Sequence, residues 1–297
     1  MGVFIGADGG GSKLMLGLAA EGVRSFSRID RGVNPVVCGI ERSAEDITRA
    51  MLDLCEREHV SPADVNGVFA GIAGATENDY KSHLKAKLEK AFPNAACGVS
   101  HDGENIVYAA FPDKDGAVVI CGTGSSCFVH KGGELFRIGG YGAFDLEGNG
   151  YELGRRAIAH TLKSYDGRKA RGVLCEKVES LAGGNCLEKL SELLALPVSD
   201  IARFARAVFE SAEEGDEDAK KMLDSTARFL ADYIKAASRF FEGRFDVVVA
   251  GGIGTNRYII QAIRKLVPNV GISALGKDPA EGALVKAERL YYGRKHF

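Results

Sequence analysis

Three times along this chain a short run of apolar residues ends abruptly in a cluster of glycines. Val3-Phe4-Ile5-Gly6-Ala7-Asp8 runs into Gly9-Gly10-Gly11-Ser12-Lys13, and Leu14-Met15-Leu16-Gly17-Leu18-Ala19 resumes the apolar pattern. Ala117-Val118-Val119-Ile120-Cys121 runs into Gly122-Thr123-Gly124-Ser125-Ser126 and resumes at Cys127, and Asp246-Val247-Val248-Val249-Ala250 ends in Gly251-Gly252-Ile253-Gly254. Runs of this length and composition are buried strands, and glycine clusters after them are tight turns. In the first two cases strand follows strand, so the turn closes a hairpin. Consecutive backbone N–H groups can then point into one concavity that no Cβ blocks, which suits a phosphate. Asp8 stands beside the first concavity, where a carboxylate can hold Mg²⁺ directly or through water. Neither a Walker A loop nor a Rossmann fingerprint fits, because both turn from strand into helix. Three such transitions in one chain point to several loops converging on one nucleotide.

Composition narrows the classes further. The chain has 297 residues, 45% of them hydrophobic, enough for a large core and two domains. Its formal net charge of −2 supplies no global field for nucleic acid or an anionic membrane, so neither is expected as a partner. No charged leader followed by an apolar run and no membrane-length apolar stretch is present, which predicts a cytoplasmic protein. The seven cysteines contain no C-x-x-C pair and fall in apolar patterns, so reduced buried thiols are expected. The six histidines show no metal-ligand spacing, which argues against zinc.

Strand and helix patterns alternate, the signature of α/β layering. Strands are predicted at 23–29, 65–72 and 98–101, and helices at about 43–58, 80–92 and 104–111. Beyond Tyr151 long helices are predicted at 152–163, 185–196, 199–212 and 216–241, the last with a stripe of Ala219, Leu223, Ala227, Leu230, Ile234 and Ala237. The expected domains are 1–112 and 113–297.

The ordered set of Asp8-Gly9-Gly10-Gly11-Ser12-Lys13, Gly71-Ile72-Ala73-Gly74-Ala75, His101-Asp102-Gly103, Cys121-Gly122-Thr123-Gly124-Ser125, Gly139-Gly140-Tyr141-Gly142, Gly150-Tyr151-Glu152-Leu153-Gly154 and Gly251-Gly252-Ile253-Gly254 resembles the actin, sugar-kinase and heat-shock ATPase superfamily. Within it, the chain is most similar to the N-acetylglucosamine kinase or BadF/BadG/BcrA/BcrD-type ATPase family, over essentially its whole length. The resemblance implies an α/β fold of two ribonuclease H-like, actin-like ATPase lobes with a nucleotide cleft between them. It also implies ATP with Mg²⁺, a small amino-sugar acceptor and a homodimeric assembly. N-acetylglucosamine, glucosamine and N-acetylmuramic acid are the expected acceptors, phosphorylated at a primary hydroxyl. A BadF-type activator ATPase, coupling hydrolysis to electron transfer through an iron–sulfur cluster, is the alternative, with Cys175 and Cys186 as its plausible ligand pair. A non-catalytic sugar sensor is a third, against which Asp8 and Asp102 both count.

Residue roles divide along the same two lines. Asp102, between a strand and a helix, reads from its neighbours as a helix cap; the resemblance makes it the general base that takes the acceptor's proton. Ser12 and Thr123 are placed to donate to phosphate oxygens, with the N–H groups of Gly122, Gly124 and Ser125. Lys13 is either a solvated turn residue or a charge beside the anion. Gly251, Gly252 and Gly254 let the chain approach the nucleotide closely, and the helix after Asn256 aims its N-terminus at the phosphates. Asn34, before Pro35, reads from its neighbours as a turn former, whereas the resemblance makes it a binder of sugar hydroxyls. The family's Asp-Glu-Gly-Ser element reads here Asp145-Leu146-Glu147-Gly148-Asn149 after a shortened spacer. Either Asp145 or Glu147 keeps the acidic position, and register favours Asp145, with Gly140 and Tyr141 shaping the sugar pocket. The segment from Pro279 is expected to start a final helix packed near the second hairpin.

Overall fold

The computed structural model describes residues 2–75 and 78–294. The chain begins with strands β1 (Val3–Gly9), β2 (Leu14–Ala20) and β3 (Val23–Ile29), followed by helices α1 (Pro35–Cys38) and α2 (Ile40–Arg57). Then come β4 (Val65–Ile72), α3 (Asn78–Ala91), β5 (Ala96–Ser100), α4 (Asp102–Ala110), β6 (Gly116–Cys121), β7 (Ser125–Lys131) and β8 (Glu134–Ile138). A helical stretch holds α5 (Gly150–Tyr165), α6 (Val173–Ala182), α7 (Leu190–Leu194), α8 (Val198–Arg203), α9 (Ala205–Glu213) and α10 (Glu217–Ser238). The chain closes through β9 (Asp246–Ala250), α11 (Arg257–Leu266), β10 (Gly271–Ala274) and α12 (Pro279–Arg294).

These elements form two units. The first comprises residues 1–114 and 275–297, and the second residues 115–274. The expected second domain, 113–297, is therefore corrected at its far end: the chain returns to the first unit for its last helix. The physical reason is visible in the sheet. Gly6 and Gly67 have no side chain, and a Cβ on either would run into the backbone of α12 at Ala283–Leu284 or Ala287. Ala283, Leu284 and Ala287 fill that gap against Phe4 and Phe69. The small residues of α12 thus find their packing on the sheet that carries the first hairpin.

Each unit is built on a five-stranded sheet, β3-β2-β1-β4-β5 in the first and β10-β9-β6-β7-β8 in the second. In both, an antiparallel meander supplies three strands and two parallel strands extend it past the first strand of the meander. The order is the same read from opposite ends, so the chain repeats one topology twice. The first sheet is covered on one face by α2 and α3, whose Ile47, Met51, Leu54, Leu84 and Leu88 are buried with Ile5, Leu16 and Val68. The second sheet packs Val119, Val129 and Val247 against Leu153 of α5, Leu230 and Ile234 of α10 and Ile259 of α11.

Helix boundaries depart from the sequence reading at informative places. Helix α2 starts at Ile40, ahead of the expected start near Ser43, and Ser43 is buried, its hydroxyl 2.5 Å from the Val33 carbonyl and 2.7 Å from the Tyr80 hydroxyl. The predicted helix 185–196 shrinks to α7 because Asn185 Oδ1 accepts from the N–H groups of Leu187 and Glu188 and spends that segment on a turn. The predicted helix 199–212 is broken at the buried Phe204 into α8 and α9.

Candidate functional site

In the first unit, strand register assembles the candidate site. Asp8 on β1 lies opposite Gly71 on β4, and Gly71 lies opposite Ser100 on β5. Three parallel strands therefore end at one level, and the loops leaving them emerge at the same sheet edge, where ligands of open α/β sheets gather. After β1 comes the glycine turn, after β4 the Ile72–Ala75 segment, and after β5 the His101-Asp102 step into α4. The turn is tied to its neighbours by backbone bonds: Gly10 N–H to Lys13 O (2.9 Å), Val33 N–H to Gly10 O (2.9 Å) and Ala73 N–H to Gly9 O (2.7 Å). Gly32 lies so close to the Gly11 carbonyl that no Cβ would fit. Gly11 and Ser12 remain exposed at the tip, and a side chain at Gly11 would meet open space.

Asp8 and Asp102 stand near enough to feel each other's charge. The Asp8 carboxyl is raised to about 7, first by burial and then by the carboxylates of Asp102 and Asp278, against the lowering effect of the Asn105 hydrogen bond and a smaller pull from Lys13. A hard carboxylate donor held back from ionising by burial and like charge fits a divalent cation, which would relieve both costs. Asp102 is the first residue of α4; His101 occupies the cap position, and Asp102 Oδ1 accepts from the adjacent Gly103 N–H at 3.1 Å. The capping reading of Asp102 is corrected to that extent.

Two members of this cluster escaped the sequence reading. Asn105, three residues after Asp102, is fully buried, with Nδ2 facing Asp8 Oδ1 (2.7 Å), Gly71 O (3.1 Å) and Ala7 O (3.2 Å). Its Oδ1 has no hydrogen-bond partner among the described residues. A Cβ on Gly71 would collide with the Asn105 amide and one on Gly282 with the Asn105 carbonyl, so both glycines make room for this helix turn. The available signal was a lone amide in an otherwise apolar helix, Ile106-Val107-Tyr108-Ala109-Ala110. Asp278 is delivered by α12, whose start it fixes by accepting from the Ala280 N–H at 2.9 Å; only the return of the last helix could reveal it. Asn34 also belongs to this unit. Its Oδ1 accepts from the Val36 N–H at 2.9 Å and caps α1, while its amide lies against Gly74, whose φ of +82° and close approach both require glycine.

In the second unit the Gly122–Ser125 hairpin is braced from behind. Gly122 N–H is spent on Gly124 O (2.9 Å), which corrects its expected role as a phosphate donor. The Gly122 and Thr123 carbonyls accept from Gly150 N–H (2.8 Å) and Tyr151 N–H (3.1 Å) at the start of α5, whose cap is Asn149. Ser125 is buried and its hydroxyl donates to Glu147 O at 3.1 Å. Thr123 and Gly124 are exposed. Gly251 and Gly254 press on the end of β6, where the Cys121 carbonyl accepts from Ile253 N–H (3.1 Å) and Gly254 N–H (3.0 Å), so steric fit already requires both glycines, Gly251 against the Cys121 carbonyl and Gly254 against Val249 and the Ala250 carbonyl. Gly252 is exposed with open space at its Cβ position. Asn256 caps α11 through the Tyr258 N–H at 2.8 Å.

Asp145 is held by its own unit: Oδ2 accepts from Gly140 N–H (2.7 Å) and the Tyr233 hydroxyl (2.8 Å), while Arg137 donates to the Gly139 and Gly140 carbonyls. Its first task is to fix the Gly139–Gly142 turn, from which Tyr141 (67% exposed) and Phe144 (95%) project into solvent. Glu147 is exposed.

An iron–sulfur cluster is poorly served. Cys175 and Cys186 are fully buried among apolar residues, burial pushes the Cys186 thiol up to about 11, and a ligand must be a thiolate within reach of the cluster. Among the described residues no group of three or more histidines, cysteines or acids is placed to hold a metal ion, and no helix is long and apolar enough to cross a membrane. His296 lies outside the described residues.

Comparison with known proteins agrees with these observations. The N-acetylmuramic acid/N-acetylglucosamine kinase of Clostridium acetobutylicum is 27% identical over 300 residues, covering 95% of this chain and 97% of the relative. The glucosamine kinase of Vibrio cholerae is 26% identical over 80% of each chain. A solved structure from Chromobacterium violaceum, a candidate N-acetylglucosamine kinase, superposes with a TM-score of 0.78 at 23% identity over 98% of this chain and 99% of that one, so the fold is that of the sugar kinases. Residues 5–286 match the BadF/BadG/BcrA/BcrD ATPase family, and the chain belongs to that family.

Proposed function

We infer that this chain is an ATP-dependent sugar kinase, and propose an amino sugar as its acceptor, with transfer to a primary hydroxyl. The observation that carries the reading is the pairing of Asp8 and Asp102 at one sheet edge beside a glycine turn, in a chain of this family. Two of its relatives are kinases of N-acetylated or free amino sugars by name.

The proposed chemistry divides among the chain's own groups. Asp102 accepts the proton of the acceptor hydroxyl as its oxygen bonds to the γ-phosphorus and the bond to ADP breaks; the carboxylate needs only position, because the transition state is loose. Asp8 is the proposed Mg²⁺ ligand, and that ion, when bound, neutralises charge on the phosphates. The exposed tips at Gly11-Ser12 and Thr123-Gly124, together with Lys13 and Gly252, are the proposed phosphate and nucleotide contacts, and the two hairpins are proposed to serve one nucleotide. Asn34 and the Gly139–Asp145 turn, with Gly140 and Tyr141, are the proposed acceptor contacts. A homodimer in the cytoplasm remains the expected setting.

The test is ADP release in a coupled assay over a panel of acceptors. N-acetylglucosamine, glucosamine and N-acetylmuramic acid should exceed glucose, xylulose and glycerol, because buried polar groups built to pair a substituent reject analogues lacking it. Turnover of glucose or glycerol at equal kcat/KM removes the amino-sugar assignment, and turnover of none removes the kinase reading.

A further inference from the structure

Away from its hairpin, the second unit carries a basic pocket that the proposed reaction does not use. Helix α5 presents Arg156, Ala159, His160 and Lys163 at i, i+3, i+4 and i+7, one stripe of the helix, with Arg155 beside it. Lys169, in the turn after the helix, and Lys221 of α10 complete the wall of a pocket of about 340 Å³. Five cationic side chains therefore line one concavity in a chain whose formal net charge is −2.

The acidic groups facing this pocket are few and shared. Asp218 alone lines it, 3.6 Å from Lys221 Nζ, 3.8 Å from Lys169 Nζ and 4.0 Å from His160 Nδ1. Glu152, one turn earlier on α5, is 3.6 Å from Arg156. One carboxylate loosely divided among three bases does not neutralise the cluster. A second observation is independent of the count. His160 is 5% exposed, and its buried Nδ1 has no hydrogen-bond partner among the described residues. A buried polar atom without a partner costs folding free energy unless something supplies the bond. The imidazole lines the pocket in which the lysines and arginines gather.

We propose that this pocket binds a small phosphate-bearing anion, a phosphomonoester or a polyphosphate, with Arg155, Arg156, Lys163, Lys169 and Lys221 supplying charge and His160 Nδ1 a hydrogen bond. Guanidinium groups match phosphate oxygens as two-pronged donors, and the lysines act as point charges at the rim. Phosphate as the ligand chemistry follows from the number of cations: a single carboxylate, already present as Asp218, leaves most of them unmatched. The inference stands on the second unit alone and does not depend on which sugar is phosphorylated.

Calorimetric titration of the full chain with pyrophosphate and, separately, with glucose 6-phosphate, each with and without saturating Mg·AMPPNP, tests it. At least one probe should bind with one site per chain whether or not the nucleotide analogue is present, and should weaken at higher salt. Lys163→Gln/Lys221→Gln should weaken that binding about tenfold or more while thermal unfolding and basal activity stay unchanged. His160→Phe, which keeps the bulk and removes the nitrogen, should weaken it by a smaller factor. Tight binding of pyrophosphate alone identifies a polyphosphate site, and of glucose 6-phosphate a phosphomonoester site. Binding lost on adding Mg·AMPPNP, binding unaltered in the double variant, or no binding of either probe overturns the proposal.

Discussion

The two hairpins occupy the same place in the same sheet topology, yet the residues that lead into them differ in chemistry. The first is preceded by Asp8 and the second by Cys121. Asp8 meets Asn105, Asp102 and Asp278, and burial holds its carboxyl near 7. Cys121 is fully buried, its thiol donates to Gly148 O at 2.9 Å, and burial raises its pKa far above the usual thiol range. The turns differ accordingly. Gly9 pairs with Leu14 across a four-residue loop, whereas Cys121 pairs with Ser125 across a three-residue loop braced by α5 and by the Gly251–Gly254 segment. On the proposed reading the first copy carries the reactive groups, while the second presents a hairpin tied from behind by backbone bonds.

If that division is right, the largest effect should come from the reactive copy. Asp102→Asn should lower kcat by about 10²-fold or more with little change in nucleotide affinity, since general-base catalysis contributes factors of this order. Steady-state kinetics with a separate nucleotide titration checks it. Activity within a few-fold of wild type would leave Asp102 as a helix-start residue and remove the contrast between the copies.

The next effect concerns the buried amide bonded to Asp8. Asn105→Ala should cost about 2 kcal/mol of stability, because it empties a fully buried site and leaves the Ala7 and Gly71 carbonyls short of a donor. Denaturant unfolding measures the loss. A variant as stable as wild type would show the amide to be dispensable to the fold.

How much of this was written plainly in the sequence depends on range. Strands β1, β4, β6 and β9 are continuous apolar runs because both their faces are covered, so they read directly. The glycines that end them read as turns, and Asp8 and Asp102 drew notice because strand ends are where reactive groups stand. What the pattern could not convey was pairing at a distance. Asn105 meets Asp8 across 97 positions, and Asp278 arrives from a helix assigned to the wrong unit. Several glycines read as ligand contacts, Gly251 and Gly254 among them, have a nearer cause in the atoms that lie where their Cβ would be. Local sequence cannot separate a glycine kept for a ligand from one kept for a neighbouring strand.

A smaller effect should appear in pH dependence. The Asp8 carboxyl ionises near 3.8 when unfolded and near 7 when folded. Below about 4 the group is protonated in both states and costs nothing. As pH rises from 4 to 7 the unfolded chain releases the proton while the folded chain retains it, so stability falls and then levels off above 7. Asp8→Asn should therefore raise the Tm of the nucleotide-free protein by several degrees at pH 8 and by clearly less at pH 5. Cys121→Ser, its counterpart, should show no such dependence. Equal gains at both pH values would mean that burial does not hold the Asp8 proton.

The smallest effect tests the second unit's contribution to the acceptor. Asp145 fixes the Gly139–Gly142 turn through Gly140 N–H and the Tyr233 hydroxyl, whereas Glu147 is exposed and its carbonyl accepts from Ser125. Removing the first carboxylate frees a turn whose three glycines, Gly139, Gly140 and Gly142, all have positive φ, and leaves the Tyr233 hydroxyl without its acceptor. Asp145→Ala should accordingly raise KM for the preferred sugar by about tenfold, while Glu147→Ala changes it by less than twofold. Tyr233→Phe separates the two ways Asp145 could act. If the carboxylate serves by holding the turn, Tyr233→Phe should reproduce part of the rise in KM; if it meets the sugar itself, Tyr233→Phe should leave KM near wild type. A larger effect from Glu147→Ala than from Asp145→Ala would assign the acidic position to Glu147 and shift the register across the shortened spacer.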